Sequence, residues 1–254
     1  MKKILLTNDD GINSPSLEYL YEKLKDLGEV YVCASDENRS AASHSFTLRK
    51  PIKICEIKKN WYSVSGTPTD AVLLFYHALS NKKVDLLIAG INDSPNLGED
   101  ILYSGTVACA LEGTILGINS FAVSFVENNK NLDVALELVY NLAKNILKYG
   151  LPKGTFLNIN IPNKEIKGIK ITKLGKRIYK DMALPVKNEN NELCYIIDGE
   201  TDFEHKRGSD FTAIEKGYIS ITPLHLDMTN YKVIKNLQKR FRNLLKIKTK
   251  HKEF

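Results

Sequence analysis

The sequence has 254 residues, of which 43% are hydrophobic and 26% are charged. This composition is typical of a globular protein long enough to bury a sizeable core. No apolar run approaches the ~18 residues of a membrane-spanning helix. The first apolar stretch is also too short, and too soon followed by acidic residues, for a signal peptide. These features argue against a membrane protein and predict a cytoplasmic location.

The formal net charge of +6 belongs to the C-terminal segment. Residues 232–254 contain nine of the 36 Lys and Arg residues but one of the 30 Asp and Glu residues, so the rest of the chain is weakly acidic. Nucleic-acid binding by the body of the protein is therefore not expected. Four cysteines and five histidines are scattered without Cys-x-x-Cys or His-x-x-x-His spacing, which argues against a zinc cluster.

Strands and helices alternate along the first 162 residues. Short apolar runs predict strands that follow Lys3 and that cover Val30–Ala34, Val84–Ala89, Ser120–Phe125 and Phe156–Ile161. Apolar spacings of three and four, with capping residues, predict helices from Pro15 to just before Gly28, from Thr67 to about Leu79, over Thr106–Leu116 and over 132–146. This order predicts an α/β fold, a three-layer αβα Rossmann-like and mostly parallel sheet.

The pattern changes after Pro162. Residues 163–225 are predicted to form a strand-rich hairpin extension of the α/β core (1–162), followed by a C-terminal helix and basic tail (226–254) within a single domain. The helix is predicted from Thr229 to about Lys248, with an apolar face of Ile234, Leu237, Phe241 and Leu244. That face could pack back on its own domain or exchange onto a second copy of the chain, and the sequence pattern fits both.

Two adjacent carboxylates, Asp9 and Asp10, follow the first predicted strand and precede Gly11. Ligands of open α/β sheets bind at the carboxyl ends of the strands. Two neighbouring anions repel each other there, and a divalent cation would remove that cost. The alternative is a solvated acidic turn.

Polar residues also follow two other predicted strands. Ser40 lies in the loop after the second strand and offers a hydroxyl, although polar loops of this kind are common. Asn92 and Asn96 follow the strand that ends at Ala89. Asn92 can give a carbonyl oxygen to a cation, and Asn96 can donate to an oxyanion. The alternative for this segment is an ordinary turn rich in Asn, Pro and Gly.

Ser104, Gly105 and Thr106 stand immediately before a predicted helix. Backbone N–H groups at a helix N-terminus, with hydroxyl groups beside them, make a site suited to phosphate. Simple capping of the helix by Ser104 or Thr106 explains the same residues.

Three familiar phosphate motifs are absent from the sequence. There is no Gly-x-Gly-x-x-Gly after the first strand and no Gly-x-x-x-x-Gly-Lys-Ser/Thr. The Asp-x-Asp-Gly register of aspartyl phosphatases places Asn8 where the nucleophile would stand, which disfavours a covalent aspartyl-phosphate.

The chain resembles the SurE family, the survival protein E nucleotidases, over nearly its whole length. The matching segments are Thr-Asn-Asp-Asp-Gly (7–11), Asn-Arg-Ser-Ala (38–41), Gly-Thr-Pro-Thr-Asp (66–70), Gly-Ile-Asn (90–92), Asn-Leu-Gly (96–98), Tyr-Ser-Gly-Thr-Val (103–107), Leu-Asn-Ile-Asn-Ile-Pro (157–162), Thr-Asp-Phe (201–203) and Gly-Tyr-Ile-Ser-Ile-Thr-Pro-Leu (217–224). No single segment is specific, but their combination and order are.

The resemblance implies a metal-dependent phosphatase that acts on nucleoside 5′- and 3′-monophosphates and sometimes on polyphosphate. It implies one Mg²⁺ or Mn²⁺ ion per subunit on Asp9, Asp10, Ser40 and Asn92. It also implies phosphate contacts from Asn96, Ser104, Gly105 and Thr106, and a catalytic set of Asp9, Asp10 and Asn96. A homodimer or homotetramer is expected, built by a hairpin and an exchanged C-terminal segment. The chain departs from many members at Asp93-Ser94, which concerns substrate preference rather than the metal ligands.

Two other functions need the same residues. A non-catalytic sensor of nucleotides or polyphosphate would use the same cation and phosphate contacts. A Mg²⁺-dependent hydrolase of another phosphate ester would do so as well. The sequence does not separate these from a nucleotidase.

Overall fold

Apolar strands and amphipathic helices form a layered α/β structure in the computed structural model, which describes residues 1–126, 130–180, 183–242 and 244. The strands are β1 Lys3–Thr7, β2 Glu29–Ser35, β3 Ile54–Lys58, β4 Trp61–Val64, β5 Leu86–Asn92, β6 Asn119–Phe125, β7 Thr155–Ile161, β8 Ile169–Ile171, β9 Arg177–Lys180, β10 Ala183–Lys187, β11 Leu193–Ile197, β12 Glu200–Phe203 and β13 Ile219–His225. The α-helices are α1 Pro15–Leu24, α2 Pro68–Leu74, α3 Gly105–Ile115, α4 Leu132–Tyr149, α5 Asp210–Glu215 and α6 Tyr231–Phe241.

Nine of the strands that the structure describes form one sheet in the order β3-β4-β2-β1-β5-β6-β7-β13-β8. The strands from β4 to β7 in that order are parallel, whereas β3 is antiparallel to β4 and β13 to β7. The order reverses at β1, because the chain moves first to β2 on one side and later to β5 on the other. The prediction of a mostly parallel α/β sheet is confirmed.

Each face of the sheet buries its own apolar core. Alternate residues of β1 divide between the two cores, with Ile4 and Leu6 on one face and Leu5 on the other. The apolar stripes of α1 and α4 cover the first face, and those of α2 and α3 cover the second. Burial on both faces is what makes these strands continuous apolar runs in the sequence.

Several predicted element ends differ from the structure, and two of them have a clear cause. Helix α1 ends at Leu24, earlier than predicted. Gly28 is not its C-terminal cap. It packs against the backbone just before β1, and a Cβ atom at position 28 would be 2.4 Å from the Lys2 carbonyl oxygen. Strand β5 does not stop at Ala89 but continues through Gly90 to Asn92. Close packing and strand pairing, both long-range effects, decide these two boundaries.

The region after β7 contains two pairs of strands, a strand of the main sheet and a short helix. Strands β10 and β11 form one antiparallel pair and β9 and β12 form another. Strand β13 lies in the main sheet beside β7, and the short helix α5 precedes it.

The C-terminal helix α6 is shorter than predicted and has no buried residue. It begins at Tyr231 rather than Thr229, and the predicted continuation from 243 to Lys248 lies outside the described residues apart from Leu244. The apolar side chains Leu237 and Phe241 are 39% and 47% exposed. The helix therefore does not pack its apolar face against its own domain over the described residues. No helix in the described part of the chain is long and apolar enough to cross a membrane.

Candidate functional site

The predicted site residues meet where the strand order of the sheet reverses. Asp9 and Asp10 follow β1, Asn92 ends the adjacent β5, and Ser40 lies in the loop after β2. They line one cavity of about 230 Å³, which is bounded by Asp9, Asp10, Ser40, Ala41, Asn92, Asp93, Ser94, Pro95, Asn96, Asp100, Tyr103 and Ser104. This is the position at which open α/β sheets bind ligands.

A larger cavity of about 460 Å³ lies at the base of the extension and is lined by residues of β8, α5 and the loop before α5. It lacks a pair of carboxylates and contains none of the predicted site residues. The smaller cavity is therefore the candidate site, because it contains the adjacent carboxylates Asp9 and Asp10 and the other predicted ligands.

Asp9 is buried and held by the N-terminus of α3. The Thr106 hydroxyl and the backbone N–H groups of Gly105 and Thr106 donate to its carboxylate. Burial raises the pKa of Asp9, and these donors act in the opposite direction. The carboxylate packs so closely on Gly105 that a Cβ atom there would lie 2.7 Å from the Asp9 Cβ. Any side chain at position 105 would displace Asp9.

Asp10 carries a carboxylate oxygen without a partner. Its Oδ2 atom is buried and has no hydrogen bond among the described residues. Burial, followed by the charges of Asp9 and Asp93, raises the pKa of Asp10 to about 7. No Lys, Arg or His lines the cavity as described. The protein alone therefore leaves this negative charge uncompensated, as expected of a site that binds a cation.

A bulge in β5 positions Asn92. Ala89 pairs with Ala122 of β6 whereas Asn92 pairs with Ser124, so β5 has one extra residue over this span. Gly90 permits the bulge, since its φ is +127° and a Cβ atom would lie 2.3 Å from the Val123 carbonyl oxygen. The Asn92 amide nitrogen donates to the Ser94 carbonyl at 2.6 Å. This leaves its Oδ1 atom available as a ligand.

The four predicted metal ligands together offer two carboxylates, one hydroxyl and one amide oxygen. Oxygen donors of this kind suit Mg²⁺ or Mn²⁺. No cluster of three or more His, Cys, Asp or Glu residues able to hold a metal occurs in the described part of the chain. The buried, unpartnered Asp10 oxygen and the all-oxygen donor set fit a single hard cation rather than zinc.

Asn96 is fixed by three polar residues on neighbouring strands that sequence reasoning missed. The Asn160 side chain accepts from the Asn96 N–H at 2.8 Å and donates to the Asn96 carbonyl at 2.9 Å, and Asn158 donates to the same carbonyl at 2.8 Å. The Asn96 side-chain nitrogen donates to the Ser124 hydroxyl at 2.8 Å. Its second N–H remains available to a ligand in the cavity. The alternating polar residues of β7 were the available signal.

The comparison with known proteins decides the family. The sequence model described as survival protein SurE matches residues 4–181. The chain belongs to the SurE family. It is 46% identical over 245 residues to a protein of Aquifex aeolicus named 5′-nucleotidase SurE, covering 94% of this chain and 98% of that one. A protein of the same name from Pelobacter propionicus is 42% identical over 238 residues, covering 91% of this chain and 96% of the relative.

A solved SurE-family structure has the same fold. The crystal structure of the SurE protein from Aquifex aeolicus is 45% identical and superposes with a TM-score of 0.83. The match covers 94% of this chain and 99% of the other. The α/β fold described above is thus that of a SurE-family protein.

The predicted phosphate-binding segment of this SurE-family chain is divided between two environments. Ser104 lines the cavity, and its hydroxyl accepts from the Val107 N–H at 3.0 Å and so caps α3. Gly105 and Thr106 do not line the cavity, because their donors face Asp9. The capping alternative therefore describes Ser104 in this structure. A phosphate role for Ser104, Gly105 and Thr106 stays a prediction.

A buried carboxylate outside the cavity ties the site to the extension. Asp210 is fully buried and accepts from the backbone N–H groups of Gly98 and Gly175, both at 2.8 Å. Gly98 belongs to the loop that carries Asn96. The Thr-Asp-Phe segment at 201–203 is one of the segments that resemble the SurE family, but Asp202 is exposed on β12. Asp210, which also precedes a phenylalanine, is the buried one.

Replacing Asp210 by alanine is expected to destabilise the protein by about 3 kcal/mol, because the backbone N–H groups of Gly98, Gly175 and Phe211 lose their acceptor. The matched Asp202→Ala change should alter the free energy of unfolding by less than ~0.5 kcal/mol, since Asp202 is exposed. Urea unfolding of the two variants measures the difference. Equal stabilities of the two variants would contradict the role of Asp210.

Proposed function

We propose that the chain is a 5′-nucleotidase that hydrolyses nucleoside 5′-monophosphates to nucleoside and phosphate. The observation that carries the proposal is the unpartnered, buried Asp10 oxygen beside Asp9 and Asn92, in a cavity where Asn96 keeps a free N–H. Relatives above 40% identity that are named 5′-nucleotidase SurE support the substrate class.

In this proposal Asp9, Asp10, Ser40 and Asn92 hold one Mg²⁺ or Mn²⁺ ion. Such a cation, when bound, polarises a phosphoryl oxygen and lowers the pKa of a water molecule. Asn96 donates its second N–H to a phosphoryl oxygen and stabilises charge that develops there. Because Asn158 and Asn160 fix its backbone, that donor is positioned before the substrate binds.

The hydrogen bonds of Asp9 favour water as the attacking group. Its carboxylate accepts from the Thr106 hydroxyl and from the N–H groups of Gly105 and Thr106. A carboxylate has about four lone-pair sites, so three hydrogen bonds weaken it as a nucleophile and still leave a site for the cation. Together with Asn8 at the aspartyl-phosphatase position, this argues for direct hydrolysis without a covalent phosphoenzyme.

We extend the proposal to 3′-monophosphates and short polyphosphates on the resemblance to the SurE family. Both share with a 5′-monophosphate the terminal phosphoryl group that the cavity would bind. We also propose a cytoplasmic location for the enzyme.

Phosphate release from AMP or GMP with added Mn²⁺ is the experiment that tests the proposed function. Treatment with EDTA should abolish the activity, and Mg²⁺ or Mn²⁺ should restore it. Nucleotide binding without phosphate release would favour the sensor, and turnover of aryl phosphate alone would favour another phosphatase. Full activity in metal-stripped protein would contradict the cation.

We also propose that the protein is a homodimer or a homotetramer assembled through α6. None of the residues of α6 is buried in the single chain, although Leu237 and Phe241 lie on one side of it. If α6 packed on a second copy of the chain, the apolar face that is uncovered in the monomer would become buried.

Deleting residues 229–254 is expected to convert the oligomer to monomer or to insoluble protein, as measured by sedimentation velocity. In the full chain, the Leu237→Asp/Phe241→Asp double variant should dissociate in the same way, because it charges the apolar face. A Lys235→Asp/Lys239→Asp variant changes the solvent side and should keep the oligomer. Retention of the full-length state by the truncated protein would refute the exchange.

A further inference from the structure

The cavity at the candidate site is small for a whole nucleotide. Its volume is about 230 Å³, whereas sites that enclose drug-sized ligands measure about 300–1,000 Å³. Its polar groups, Asp9, Asp10 and Asn92 among them, suit the phosphate end of the substrate. The base of a bound nucleoside monophosphate must then lie at the rim rather than inside.

Tyr103 is the aromatic residue among those that line this cavity. It is 60% exposed, and its ring has no aromatic or cationic partner among the described residues. Its backbone is held on both sides, because its N–H donates to the Asp100 carbonyl at 3.0 Å and its carbonyl accepts from the Ser43 N–H at 3.1 Å. An open ring face on a fixed backbone therefore stands beside the predicted phosphate position.

The extension brings a second tyrosine to the same rim. The hydroxyl of Tyr179 on β9 donates to the Asp100 carboxylate, which also pairs with Arg177. Burial and the Asp100 carboxylate raise the pKa of Tyr179 to about 12, and Tyr103 contributes to the same shift. Tyr103 and Tyr179 both hydrogen-bond to Asp100, one through its backbone N–H and the other through its hydroxyl, so both lie beside the part of the cavity wall that Asp100 forms.

We propose that Tyr103 is a specificity residue whose ring stacks on the nucleobase while the phosphate lies in the cavity. This inference rests on the proposed function and adds how the substrate is distinguished from other phosphate esters. Stacking on a ring tolerates every base, because each base has a π-face. The substrate class is therefore nucleoside monophosphates with little discrimination among bases, in preference to sugar phosphates without a base.

The test compares AMP with ribose 5-phosphate, which has the same phosphate and sugar but no base. Tyr103→Ala should raise KM for AMP about tenfold and leave KM for ribose 5-phosphate unchanged. Tyr103→Phe keeps the ring and should behave like the unmodified enzyme. Tyr149→Ala removes another exposed tyrosine, at the end of α4, and should change neither KM value.

A binding measurement separates this inference from the proposed function. The Kd of a non-hydrolysable phosphonate analogue of AMP, measured by calorimetry with Mg²⁺ present, should rise about tenfold in Tyr103→Ala and stay unchanged in Tyr103→Phe. That result without AMP hydrolysis by the unmodified protein would support stacking and overturn the nucleotidase. Normal AMP hydrolysis with the same KM and Kd in Tyr103→Ala would overturn stacking alone. An equal loss for AMP and ribose 5-phosphate would also overturn it, since the ring would then act on the phosphate or the fold.

Discussion

Replacing Asp10 by asparagine is expected to lower kcat/KM for AMP by about 1,000-fold, or ~4 kcal/mol of transition-state stabilisation. The change removes a charged cation ligand and keeps the shape of the side chain. It should also raise the Tm of the metal-free protein by about 2–4 °C. The physical reason is that the buried Oδ2 atom has no partner and is repelled by Asp9 and Asp93.

The opposite signs of these two effects make the prediction specific. Addition of Mg²⁺ should raise the Tm of the unmodified protein and leave that of Asp10→Asn nearly unchanged, because ligand binding stabilises only the state that binds it. Asp26→Asn is the control, since Asp26 is exposed and contacts Tyr140 on the α1–α4 face. Retained activity together with a lower Tm in Asp10→Asn would show that Asp10 is a structural residue.

The ligand positions could be predicted from the sequence because each follows a recognisable strand. Asp9 and Asp10 stand directly after an apolar run, and Asn92 is the last residue of the adjacent parallel strand in the sheet. The carboxyl ends of parallel strands share one edge, so local pattern alone brings these residues together. Ser40 is on the same edge but in a loop, and its inclusion depended on the family resemblance.

The supporting residues could not be predicted in this way because their partners are distant in sequence. Asn158 and Asn160 are 62 and 64 positions from Asn96, and Asp210 is 112 positions from Gly98. Only the packing of β7 and α5 against the site loop shows what these polar residues do. The predicted end of α1 was wrong for a similar reason. Glycine is needed at position 28 because the backbone of Lys2 packs closely against it, and not because it caps the preceding helix.

The asparagine cluster also explains why Asn96 can act as a rigid donor. Its backbone is held by Asn158 and Asn160 of β7 and its side chain by Ser124 of β6, and all of these partners are fully buried. A donor fixed before the substrate binds needs no reorganisation during the reaction, which is the condition under which such groups contribute most.

Asn96→Ala is therefore expected to lower kcat for AMP hydrolysis by about 100- to 1,000-fold, equivalent to ~3–4 kcal/mol, with a smaller effect on KM. The loss should appear at saturating Mg²⁺, because Asn96 is not one of the proposed ligands. Steady-state kinetics with AMP measures it. An Asn96→Ala enzyme with unchanged turnover would contradict the proposed role.

Asn160 and Asn158 provide a matched pair that tests whether position, and not merely presence, of Asn96 matters. Both are fully buried on β7, but Asn160 makes two hydrogen bonds to the Asn96 backbone and Asn158 makes one. Asn160→Ala should lower kcat about tenfold and cost ~2–3 kcal/mol of stability, because it leaves the Asn96 N–H unpaired. Asn158→Ala should have a smaller effect on both, since Asn160 still donates to the same carbonyl. A loss of stability in Asn160→Ala without any loss in kcat would show that the cluster serves the fold alone.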